Sequence, residues 1–122
     1  MLRIAFLPSD FNPMVLVLGE TEDLHRLAAT LRRFAREPAD APLDASCVRL
    51  TASAGPLGIH PTADAGTFLW RLDTPHAQSF ADQIDSLAQP ARLAGSEILE
   101  CTTEEEIPVK VSRGEYTDDF LS

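Results

Sequence analysis

Three histidines, two cysteines and a scatter of carboxylates are the side chains with which this chain could do chemistry. His60 lies between two extended stretches, with Asp64 and Asp73 following it. A histidine oriented by a carboxylate is the minimal general base, so a small enzyme here would use His60 with Asp64 or Asp73. The competing expectation is that Asp64 opens a turn and Asp73 helps to cap a helix. No nucleophile or oxyanion donor stands beside them, which leaves enzymatic activity the weakest of three readings. His25 and His76 fall near the starts of two predicted helices and could approach each other if those helices pack side by side. No histidine pair has the i, i+4 spacing of a helical metal site, and no CxxC is present. No metal and no cofactor is therefore expected. The stretch Gly55-Pro56-Leu57-Gly58 lacks the spacing and the lysine of a phosphate-binding loop.

Charge gives a clearer lead. Nineteen acidic residues against ten basic ones leave a net charge of −9 and a pI near 4.6. Such a field repels nucleic acid, whose affinity for proteins rests on Lys and Arg neutralising phosphates, and it disfavours an anionic membrane surface. It favours a basic partner through steering, although acidity also simply maintains solubility. The acids concentrate late in the chain, where residues 97–122 hold eight acids and two bases. Glu104-Glu105-Glu106 is expected to form the turn between the last two strands. Further on, Glu115, Tyr116, Asp118, Asp119 and Phe120 place aromatic anchors among carboxylates. A surface aimed at a basic protein needs that combination, because aromatics supply buried area and charges supply steering. The alternative is that the tail folds back and its aromatics complete the protein's own core.

These residues must be positioned by the elements that hydrophobic periodicity predicts. Arg3–Leu7 reads as a short strand, and the uninterrupted apolar run Met14–Leu18 as a strand buried on both faces. Leu24, Leu27, Ala28, Leu31, Phe34 and Ala35 follow one face of a helix that Thr21 caps and Pro38 stops. Residues 39–45 read as a loop. Residues 46–52 and 67–72 read as strands paired like a hairpin across a long connection. A second helix, capped by Thr74 with Pro75 at its start, carries Ala77, Phe80, Ala81, Ile84, Leu87 and Ala88 inward. Residues 97–101 and 107–111 are the last two strands. Pro108, which has no N–H to donate, is expected to confine the final one to a sheet edge. An apolar strand, one turn and an amphipathic helix recur from Val15 and again from Phe68.

A chain of 122 residues suits one domain, here 1–122. Residues 115–122 form an acidic tail that either stays mobile or is ordered through Tyr116, Phe120 and Leu121. The element order predicts an α+β fold, with two helices on one face of a mainly antiparallel sheet. Its core would be ferredoxin-like, βαββαβ, with extra strands at both termini. No apolar run approaches a membrane span and the N-terminus does not resemble a secretory signal. Cys47 and Cys101 are too few for a disulfide framework and are expected to be reduced and far apart. A cytoplasmic location follows as an expectation.

Three functional readings result. The first is a non-catalytic acidic protein, immunity-type inhibitor or adaptor, engaging a basic protein through the two acidic segments. The second is a small-molecule-binding regulatory domain, with Gly19, Glu20, Thr21 and Glu22 offering the start of the first helix to an anion. The third is the enzyme built on His60. Exposed sheet or edge strands would also permit a homodimer.

Overall fold

The computed structural model describes residues 2–8, 13–43, 47–52, 54–62, 66–89 and 95–113. Both helices form where the apolar stripes lie: α1 spans Thr21–Arg36 and α2 spans Thr74–Leu87, and each buries the side its stripe predicts. They run antiparallel. Near one end the Thr74 hydroxyl donates to the Ala35 carbonyl, and along their length Arg32 pairs with Asp82 at 2.8 Å and with Asp85 at 2.5 Å. No described helix is long and apolar enough to cross a membrane.

Eight strands accompany the helices: β1 Arg3–Leu7, β2 Met14–Leu18, β3 Ala41–Pro42, β4 Val48–Thr51, β5 Gly58–Pro61, β6 Phe68–Arg71, β7 Gly95–Leu99 and β8 Val109–Arg113. They form two mixed sheets of four strands, ordered β1-β2-β8-β7 and β3-β4-β6-β5. In each, the central pair is parallel and both flanking pairs are antiparallel.

The α+β class therefore holds, but not the single ferredoxin-like sheet. The strands expected to share that sheet are divided: β2 and β7 lie in the first, β4 and β6 in the second. The pair expected to resemble a hairpin is the parallel pair β4–β6, with Leu50 opposite Trp70. A parallel pair needs a crossover, and the intervening chain supplies one that also contributes β5. Pro108 does not mark an edge either. It precedes β8, a central strand, and its carbonyl accepts from Val15 N at 3.0 Å, so its missing N–H costs the ladder nothing.

Exchanging the first four strands with the last four maps one sheet onto the other. The chain is thus two ββαββ units, each giving one hairpin to either sheet. The recurrence seen at Val15 and Phe68 is one part of this symmetry. Helix positions correspond at a constant offset of 53 residues, Thr21 to Thr74, and six buried residues of α1 from Leu24 to Ala35 have buried counterparts from Ala77 to Ala88. Backbone bonds correspond as well. Val15 N to Pro108 O matches Phe68 N to Cys47 O, and Gly19 N to Ser112 O matches Leu72 N to Thr51 O.

One hydrophobic core joins both helices to both sheets, with Val15, Val17, Val109 and Val111 from the first sheet and Val48, Leu50, Phe68 and Trp70 from the second. Phe6 of β1 lies against Phe68 of β6 with ring centroids 4.7 Å apart, so the sheets also touch directly. Leu16 and Leu18 are buried with Val15 and Val17, as expected for a strand covered on both faces. Cys47 and Cys101 are free thiols, the first just before β4 of the second sheet and the second just after β7 of the first.

Candidate functional site

Antiparallel pairing of Leu99 with Val109 sets β7 and β8 side by side and leaves residues 100–108 to connect them. This connection is not a simple acidic turn. Glu104 and Glu105 are exposed, but Glu106 points inward, where its carboxylate accepts from Cys101 N at 2.7 Å and from Thr103 N at 3.1 Å. Room for that carboxylate exists because residue 58 is glycine: at its φ of +97°, a Cβ would overlap Glu106.

The same loop is fastened to the neighbouring sheet. Ile107 N donates to Ile59 O at 2.9 Å, and the Thr103 hydroxyl donates to Leu57 O at 2.6 Å. Two of its residues, Thr102 (φ 58°) and Glu105 (φ 61°), occupy the left-handed region. For β-branched Thr102 that conformation is strained, and it persists only where surrounding contacts over-determine it. The result is a fixed loop presenting Glu104 and Glu105, with exposed Glu100 at its start. Glu106 is the pin and does not belong to the presented surface. Of the other acidic-surface residues, Glu115, Tyr116, Asp118, Asp119 and Phe120 lie outside the described residues.

The nearby catalytic candidates do not assemble. His60 Nε2 donates to Leu57 O at 3.1 Å, beside the Thr103 hydroxyl. Asp73 instead serves His76 and α2: it is the N-cap, accepting from His76 N at 2.8 Å and from the His76 imidazole at 2.7 Å. Asp64 lies outside the described residues. His25 faces Asp85 at 3.2 Å, and because the helices are antiparallel it stands at the opposite end of the pair from His76. Burial, reinforced by the negative charges of Glu106 and Asp73, pushes the Cys101 thiol up to about 12. It therefore stays protonated at neutral pH, the form that is neither nucleophile nor metal ligand. Among the described residues no three His, Cys, Asp or Glu side chains gather to hold a metal.

The start of α1 is occupied by its own carboxylates. Glu20, not Thr21, is the N-cap, and a capping box runs from its side chain to Asp23 N and from Glu20 N to the Asp23 carboxylate at 3.0 Å. An incoming anion at Gly19–Glu22 would meet two negative groups already holding those donors. The bond from Glu20 N, with Arg26 adding, holds the Asp23 carboxyl below the usual range despite burial. Thr21 and Thr74 serve the helix pair. Thr74 bonds Ala35 O, while Thr21 accepts from Arg113 Nη1 at 2.9 Å, and the same nitrogen reaches Gln89 O at 3.3 Å. Arg113 is a buried cation beyond the C-terminal end of α2, where the helix dipole favours positive charge. Alternation along β8 could have placed it inside, since Val109, Val111 and Arg113 share one strand face.

Partial desolvation works to raise the Asp73 carboxyl, but the His76 contacts outweigh it and hold it below the ordinary value. As pH falls through about 4, the unfolded chain takes up protons before the folded one, so the stability that Asp73 and Asp23 contribute above that range is lost. Asp73→Ala should cost about 1 kcal/mol at pH 7 and shallow the acid limb of stability against pH. Urea denaturation from pH 3 to 7 checks both, and an unchanged acid limb would refute the role of Asp73.

The chain matches no protein-family model, no curated protein and no solved structure, so function has to be read from these sites themselves.

Proposed function

We propose that the protein is a non-catalytic binding protein whose acidic loop engages a basic protein partner, in the manner of an immunity-type inhibitor or adaptor. The observation that carries this reading is the fixed presentation of Glu104 and Glu105 on a strained loop pinned by Glu106. A preorganised loop binds without losing the backbone freedom that a mobile one gives up, and the net charge of −9 steers a cationic partner toward it. Glu115, Tyr116, Asp118, Asp119 and Phe120, outside the described residues, are proposed to bind the same partner on the strength of their chemistry alone. The free thiols accord with a reducing, cytoplasmic setting. A His60 enzyme finds less support, because the imidazole is bound to a backbone carbonyl and Asp73 is committed elsewhere.

Native mass spectrometry of the protein drawn from its host lysate is expected to show a stoichiometric complex with a basic polypeptide. Glu104→Lys combined with Glu105→Lys should weaken that complex by about a hundredfold or more and reduce its salt dependence, since each close charge pair contributes about 1.5 kcal/mol or more. A complex that forms equally well with the reversed charges would overturn the assignment of this loop.

A further inference from the structure

The two-fold relation between the halves of the chain shows where one half departs from the other. On the α2 side, the five-residue strand β7 lies along the helix, and Gln83 Nε2 reaches the Ile98 carbonyl at 3.5 Å. The equivalent strand beside α1 is β3, only two residues long. Thr30, the counterpart of Gln83, turns its hydroxyl back to Arg26 O at 3.0 Å and makes no bond to another element among the described residues. Among the described residues the flank of α1 is consequently open. A groove of about 360 Å³ runs there over Leu2, Leu27, Ala29, Pro42 and Leu43, and a second hollow of about 260 Å³ adjoins it at Thr30, Arg33 and Ala41. The first alone reaches the lower end of the range for small-molecule sites, about 300–1,000 Å³.

The charges change along with the shape. Arg26 and Arg33 line the groove where the equivalent α2 positions are Ser79 and Ser86. Arg26 is engaged at 3.3 Å by Asp23, a carboxylate that also lines the groove, so the end near Arg26 is already neutralised. Arg33, exposed where the two hollows meet, has no acidic partner among the described residues. Glu37, one helical turn after Arg33, lines the second hollow without an ion pair to it. An apolar trough with one uncommitted guanidinium, on a protein of net charge −9, is complementary to an anion that carries a hydrocarbon body.

We propose that this groove binds a small amphipathic carboxylate, with its apolar part along Leu27 and Leu43 and its carboxylate on Arg33. The site is separate from the acidic loop, and its test needs no protein partner. Octanoate titrated into the 15N-labelled protein should give saturable shifts centred on Thr30, Arg33 and Leu43. Octanol should bind at least about tenfold more weakly, the effect expected for losing a hydrogen-bonded charge. Arg33→Ser, which installs the residue found at the equivalent α2 position, should weaken octanoate by about the same factor. Arg49→Ser, at the one exposed position of β4 and outside the groove lining, should leave octanoate binding unchanged, and far-UV circular dichroism should show both variants folded. The proposal is overturned if octanoate fails to bind, if octanol binds equally well, or if Arg33→Ser is without effect. Inorganic phosphate binding as tightly as octanoate would also overturn it, by showing that the hydrocarbon body contributes nothing.

Discussion

Replacing Trp70 with alanine is expected to destabilise the protein by about 3–5 kcal/mol. Trp70 is the largest fully buried side chain, 1% exposed, in the middle of the second sheet. Leu50 and Ile59 flank it in register on either side, and its indole stacks on Phe80 of α2 with centroids 6.0 Å apart. Truncation removes the ring stack between the sheet and that helix and leaves a cavity that close-packed neighbours fill only in part. A domain of this size loses roughly 3–6 °C of Tm per kcal/mol, so the midpoint should fall by roughly 10–25 °C. Trp70→Phe, which keeps a ring against Phe80, should cost less than half as much. Circular dichroism must follow the transition, because Trp70 is the only tryptophan and its removal abolishes the usual fluorescence signal. A loss below about 1 kcal/mol would mean that the Trp70–Phe80 stack does not bind α2 to the sheet.

Glu106→Ala is the second large effect expected, about 2–4 kcal/mol, from two backbone hydrogen bonds to one carboxylate on a half-buried loop. Without the carboxylate, Cys101 N and Thr103 N lose their acceptor, and the left-handed conformations of Thr102 and Glu105 are held only by the loop's two bonds to the neighbouring sheet. Hydrogen exchange at Cys101 and Thr103 should accelerate together. Gly58→Ala should reproduce the defect from the other side, since a methyl group there overlaps Glu106 and strains a backbone at φ +97°. Glu104→Lys and Glu105→Lys, on the exposed side of the same loop, should each change stability by no more than about 0.5 kcal/mol. Equal costs at positions 104, 105 and 106 would remove the distinction between the pin and the presented charges. The contrast also separates function from folding. Glu106→Ala would weaken partner binding through loop disorder, whereas the lysine substitutions would weaken it with the fold intact.

Three adjacent glutamates of identical type thus have different roles, and nothing in their local sequence distinguishes them. Glu106 turns inward because β5 arrives with a glycine at position 58, a residue far away in the chain. His60 presents the same difficulty. Proximity to Asp73 in sequence suggested a catalytic pair, yet Asp73 had nearer donors in the first turn of α2, and local capping prevailed over a longer-range contact. The helix caps follow the same rule: Asp73 caps α2, as the alternative expectation for it had it, and Glu20 rather than Thr21 caps α1. Threonine is a good cap in isolation, but Thr21 and Thr74 are each followed by a full helical turn, and acidic residues stand immediately before them. The groove beside α1 was invisible in the sequence, because it arises from the shortness of β3 relative to its symmetry mate.

The sequence alone determined those properties that depend on neighbouring residues. The stripe from Leu24 to Ala35 and its counterpart from Ala77 to Ala88 dictated two amphipathic helices. The unbroken run at β2 dictated a strand covered on both faces, and the α+β class followed. Periodicity is carried by contiguous side chains and survives whatever the rest of the chain does. Tertiary structure decided which strands became partners, that β4 and β6 run parallel, that β8 is central, that Arg113 and Glu106 face inward, and that one helix flank is open. Each of those outcomes compares the free energies of alternative pairings between distant segments whose apolar faces are similar. Register and strand order are set by such differences, and no local pattern contains them.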